Sequence, residues 1–165
     1  MPAILQELHQ LPFDYADGEG IDFEPLPEFQ SAAETCDWIQ AWTGNKSVDG
    51  ATYRVFGQDG TGGYAAFWLV RSDAPLLAQP IVFFGSEGEL GVVACMFADY
   101  LWLLAGGFGP FEAITYGDSI RSINPEFTAF ATTHALASKA APGEILAKAQ
   151  AEFPSFVADV QALCH

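Results

Sequence analysis

Gly60-Thr61-Gly62-Gly63-Tyr64-Ala65 matches the letter of G-x-G-x-x-A, the spacing with which a strand–turn–helix unit cradles a dinucleotide pyrophosphate. That chemistry needs a helix opening at the third position, so that free amides and the helix dipole meet the phosphates. Here Tyr64–Val70 is apolar and aromatic and reads as a strand, and Asp59 puts another anion beside the turn. A Walker loop fails as well, because no Lys-Ser/Thr follows Gly62. The glycines are read as a structural turn.

The remaining candidates carry little more. Gly85-Ser86-Glu87-Gly88 is one residue short of the G-x-S-x-G elbow and falls at a hairpin tip rather than a strand-to-helix turn. Glu87 and Glu89 are paired carboxylates, but in a turn their relation is undefined, so a glycosidase-like acid/base pair has weak support. The acidic stretch Asp14–Glu24 lacks the alternate oxygen ligands and sixth-position glycine of a calcium loop. His9 and His165 lie near the ends, and His134 shares a helix face with Phe127 and Phe130, where a partly buried structural histidine is expected. Cys36, Cys95 and Cys164 show neither a C-x-x-C nor a zinc spacing. The expectation is no catalytic residue, no cofactor and no metal; an enzyme acting through Glu87 and Glu89 is the least favoured reading.

The elements that position these residues follow from pattern. Asp17-Gly18-Glu19-Gly20, Pro25 and Pro27 break the first 30 residues, leaving Ile21-Asp22-Phe23 as a short extended piece. Ser31-Ala32-Ala33-Glu34 is a capping box opening a helix with Cys36, Trp38, Ile39 and Trp42, which stops at Gly44-Asn45. Thr52–Gln58 alternates as a strand, Tyr64–Val70 returns across the turn Asp59–Gly63, Ile81–Phe84 is a continuous β-run, and Leu90–Cys95 follows the turn Glu87-Gly88-Glu89. Four strands with no helix between them predict an antiparallel meander of about four or more strands, an α+β domain flanked by helices.

A helix apolar almost all round is predicted over Met96–Gly106, with Asp99 its only charge, and Phe108–Gly117 reads as a loop containing Pro110. Asn124-Pro125-Glu126 starts a further helix. A last helical segment from Glu144 to Leu163 should break or kink at Pro154.

Half of the 165 residues are apolar, enough for a single-domain core. Six basic against 21 acidic residues give a formal charge of −15. Such a field repels nucleic-acid phosphates and anionic membranes, and it speeds encounter with basic partners. Free cysteines, the lack of a basic-then-apolar leader pattern and of any apolar run near membrane-spanning length point to a cytoplasmic protein.

Phe56-Gly57-x-Asp59-Gly60-x-Gly62-Gly63 with Ala66-Phe67-Trp68, then Pro80-Ile81-Val82-Phe83-Phe84-Gly85-Ser86-Glu87-Gly88-Glu89 with Val92-Val93-Ala94 and the helix Phe97–Leu104, resembles the centre of the SUKH superfamily. The likeness covers about residues 50–112. The family's amino-terminal helix, followed by Leu-Pro and an aromatic, finds no clean counterpart in this reading; Pro25-Leu26-Pro27 is the nearest echo. The resemblance implies one α+β domain. It also implies a protein-binding role: bacterial members act as immunity proteins that neutralise a cognate toxin, often a nuclease, and fungal members regulate cell-wall assembly. Its alternative implication is thus a regulatory or scaffolding protein without a toxin partner. Candidate contacts to a basic protein partner are Asp17, Glu19 and Asp22 in the first loop and Asp59, Glu87 and Glu89 at the turn tips. Tyr64 and Trp68 are candidate aromatic anchors, provided one sheet face is open.

Overall fold

The computed structural model describes residues 1–165. Its centre is a five-stranded antiparallel sheet in sequence order: β1 (Glu24–Pro25), β2 (Tyr53–Gln58), β3 (Tyr64–Trp68), β4 (Ile81–Phe84) and β5 (Leu90–Ala94). The expected meander is therefore present, with one edge strand more than the alternation showed. Register runs Tyr53↔Trp68 and Gln58↔Tyr64, Tyr64↔Phe84 and Phe67↔Ile81, Phe84↔Leu90 and Ile81↔Ala94. β1 is only two residues long and ends on Pro25, which cannot donate, so that edge offers little to a foreign strand.

Helices cover both faces of the sheet. Against the first face, Phe56, Ala65, Phe67, Ile81, Phe83 and Val93 join the main core with α1 (Ala3–Leu8), α3 (Phe97–Ala105), α4 (Pro110–Thr115) and α5 (Pro125–Ala135). Against the second, Tyr53, Val55, Ala66, Val82, Phe84 and Val92 meet Ile39 of α2 (Ala32–Thr43), Ala149 of α6 (Pro142–Glu152) and Phe156 and Val160 of α7 (Phe156–Leu163). This explains why Ile81-Val82-Phe83-Phe84 is apolar without alternation: all four are buried, two to each side.

Several elements form as their local chemistry dictates. Ser31 Oγ accepts the Glu34 amide while the Glu34 carboxylate accepts the Ser31 amide at 2.9 Å, and Gly44 ends α2 in the left-handed region at φ 68°. The Asn124 side chain accepts the Glu126 and Phe127 amides to open α5. α6 and α7 are separated at Pro154, as expected.

Three expectations are corrected. The Phe108–Gly117 loop contains α4, because Pro110 sits at the first helical position and Glu112 takes the Gly109 amide at 3.0 Å, so the proline starts a helix instead of interrupting a loop. The amino terminus does form a helix, α1, which buries Leu5 and Leu8, and Leu11-Pro12-Phe13 follows it. His134 is exposed and lies against Phe130 with ring centroids 4.4 Å apart, while Phe127 carries the buried contact of that helix.

Candidate functional site

The first loop and the two hairpin tips meet at one end of the sheet. The Asp22 carboxylate accepts the Gly60 amide at 2.8 Å, and Ser86 Oγ donates to Thr61 Oγ1 at 3.1 Å, joining the tip Asp59–Gly63 to the tip Gly85–Glu89. Trp42 of α2 fixes the second tip by donating its indole N–H to the Gly85 carbonyl at 2.8 Å. The sequence placed candidate contacts on all three segments, and the structure does bring those segments together.

It does not leave all those residues free. Asp59 is 3% exposed and folds inward, where its Oδ1 accepts the Thr61 amide and hydroxyl, both at 2.7 Å, and the Gly63 amide at 2.9 Å. A side chain so placed shapes the turn and offers no partner a surface. Glu89 turns back to accept the Glu87 amide at 3.1 Å, so it too serves its own hairpin, while Glu87 stands in solvent. Asp22 is half-buried and bonded to Gly60; Asp17 and Glu19 are exposed.

The two aromatic anchors are also corrected, since neither sheet face is open. Tyr64 packs under α2 against Trp38, with centroids 5.2 Å apart. Trp68 is covered by Phe153 and Phe156 at 5.3 and 4.8 Å. Both are partly buried core residues of the second face.

Two side chains that sequence reading passed over hold the first loop in place. The Glu112 carboxylate accepts the Asp22 amide at 2.7 Å and the Gly109 amide at 3.0 Å, and burial pushes its pKa above the usual carboxylate value against those stabilising bonds. Arg121 donates to the carbonyls of Gly107 at 2.8 Å, Gly18 at 3.4 Å and Gly20, with its guanidinium over the Phe108 ring. The only sequence signal was the acid at the third position after Gly109-Pro110, a capping pattern hidden by the proline.

The electrostatics are one-sided. Sixteen of the 21 carboxylates are exposed, and only two form ion pairs: Glu152 with Arg71, and the buried Asp99 with Lys148 at 3.0 Å. Arg54 and Arg121 spend their donors on backbone carbonyls, and Lys139 lies over the Trp102 ring. Four exposed cations, Lys46, Arg54, Lys139 and Lys148, stand against sixteen exposed carboxylates, so the negative field is largely uncompensated at the surface. No three His, Cys, Asp or Glu side chains converge as a metal centre would require, and no helix is long and apolar enough to cross a membrane.

Comparison with protein-family models, with curated proteins and with solved structures finds no match to this chain. Fold and surface together define an acidic α+β domain whose sheet is closed on both faces and whose exposed carboxylates are shared between loops and helices.

Proposed function

We propose that this chain is a non-enzymatic protein-binding domain of the SUKH type, an immunity protein that holds and neutralises a basic toxin domain. The observation that carries the reading is the set of sixteen exposed carboxylates set against four exposed cations, Lys46, Arg54, Lys139 and Lys148. A toxin that grips phosphate presents cations, and a carboxylate-rich inhibitor occupies that surface with fast, salt-sensitive association. The same field disfavours nucleic acid and anionic membrane as direct partners. The resemblance over about residues 50–112 supports the reading too, since the antiparallel meander carries the glycine turns on which it rests.

The test is co-expression with the product of the neighbouring reading frame. A toxic product that is tolerated only beside this chain, and that co-purifies with it at low but not high salt, is the expected result. Absence of both rescue and complex defeats the proposal.

A further inference from the structure

The largest exposed apolar side chains are not at the hairpin tips. Ile120 is as exposed as in an extended chain (102%), and Ile123, Tyr15 and Tyr116 stand 73%, 56% and 50% exposed. Apart from Tyr116 every other Phe, Tyr or Trp ring is buried or half-buried, whereas Ile120 and Tyr15 stand in water, where their exposed area contributes nothing to the core.

These residues belong to two loops that the fold clamps together. Arg121, next to Ile120, reaches across to the Gly18 and Gly20 carbonyls, and the Tyr15 hydroxyl lies 3.7 Å from the position a Cβ on Gly18 would take. Glu112 secures the same loop through the Asp22 amide. The first loop is itself tightly wound. Gly18 and Gly20 donate to the Tyr15 carbonyl at 3.0 and 2.9 Å, Ile21 donates to the Asp14 carbonyl at 2.8 Å, and Asp14 Oδ1 accepts the Ala16 amide at 2.9 Å.

That winding forces Ala16 (φ 46°) and Asp17 (φ 53°), neither a glycine, into the left-handed region. Such residues persist only where their surroundings hold them. The wound loop thus presents an exposed tyrosine in a prepared position, which reduces the ordering penalty of binding.

We infer that the clamped pair of loops, Asp14–Gly20 and Tyr116–Ile123, is the docking surface for the basic protein partner, with Tyr15 and Ile120 as its apolar centre. This rests on the binding reading above and adds where the partner sits. The charge selects the occupant. Asp14, Asp17, Glu19 and Asp118 are exposed in these two loops, and the one cation within them, Arg121, is turned onto three carbonyls. An apolar centre on loops that also carry exposed carboxylates fits a cationic surface bearing an apolar knob or pocket. A second copy of the chain, itself carrying −15, is repelled.

The experiment titrates the purified product of the adjacent reading frame, in an inactivated form, against the full chain at low and high salt. Tyr15→Ala and Ile120→Ala should each weaken binding tenfold or more with unchanged melting. Asp17→Asn combined with Glu19→Gln should slow association and flatten its salt dependence. Amide hydrogen exchange on the unsubstituted complex supplies a readout free of folding effects, with new protection expected at residues 14–20 and 116–123. A complex of wild-type affinity with both Tyr15→Ala and Ile120→Ala, or protection confined to another face, overturns the assignment while the binding function stands. Failure of the wild-type chain to form any complex overturns both.

Discussion

The Asp22 carboxylate and the Gly60 amide, 38 residues apart in the chain, are joined at 2.8 Å, and through that bond the first loop is fastened to the β2–β3 hairpin. The Asp22 amide is taken at the same time by Glu112. One residue therefore ties the loop to the sheet on one side and to α4 on the other. This geometry changes the meaning of the glycine-rich turn: it receives an anion from within the protein, where the sequence motif had invited comparison with a phosphate site.

Asp59 provides the direct check on that role. Replacing it by Ala leaves the buried Gly63 amide and the Thr61 amide without their acceptor, a loss of about 1–3 kcal/mol for a group left unpaired. Asp59→Asn keeps an oxygen in the Oδ1 position and should lose markedly less. Urea denaturation of both variants at neutral pH measures the difference. Equal losses would show that the charge, and not the acceptor, matters.

Gly57 explains another glycine of the same motif. It pairs with Pro25 at the bulge of β2, and a Cβ at this position would run into the Phe23 ring of the main core. Gly57→Ala should therefore destabilise the fold by roughly 1–3 kcal/mol, the range for overpacking a filled core. A double variant with Phe23→Leu should recover part of that loss, because the obstruction is the ring itself.

The order of strands, the capping box at Ser31 and the stops at Gly44 and Pro154 were legible because each rests on short-range chemistry: alternation, a hydroxyl three residues from a carboxylate, a missing amide. The hidden features are those decided by distant partners. Whether Asp59 points outward or inward depends on the turn closing over it, and Tyr64 and Trp68 look like an open face until α2, Phe153 and Phe156 are placed on it. Arg121 and Glu112 gave little sign of their role because each reaches a loop about 90 to 100 residues earlier. The exposed Ile120 was invisible for the same reason: only the finished core shows which apolar residues it has left out.

The three cysteines should separate cleanly by reactivity. Burial, with the adjacent Glu152 carboxylate as the next cause, pushes the Cys95 thiol up to about 12, and it is 1% exposed. Cys164 is exposed and Cys36 partly so. Since the thiolate is the reacting species, iodoacetamide at pH 8 should label Cys164 in the native protein and reach Cys95 only after unfolding. Peptide mapping by mass spectrometry reads the order; early labelling of Cys95 would contradict the packing of α6 over β5.

Two buried titratable groups should bend the pH dependence of stability in opposite directions. His9 lies among Phe13, Phe23 and Phe56, and its one side-chain hydrogen bond is Nδ1–H donating to the Leu26 carbonyl at 3.3 Å. Burial lowers its pKa below 6.5, so the unfolded chain binds a proton that the native state refuses. Its contribution is intact above pH 6.5 and is lost as pH falls from there through the folded value. Glu112 has the reverse sign. Burial raises its pKa above 4.5, so the native state holds a proton the unfolded chain has released, and its contribution is intact below pH 4.5 and lost as pH rises through the folded value. Because the −15 charge adds its own pH dependence, each effect must be read as the difference between wild type and variant at each pH. Relative to His9→Phe, the wild type should lose stability as pH falls below 6.5. Relative to Glu112→Gln, it should lose stability as pH rises above 4.5. Urea midpoints from pH 4 to 8 measure both differences, and slopes of the same sign in the two pairs would mean that one of these side chains is more hydrated than its contacts indicate.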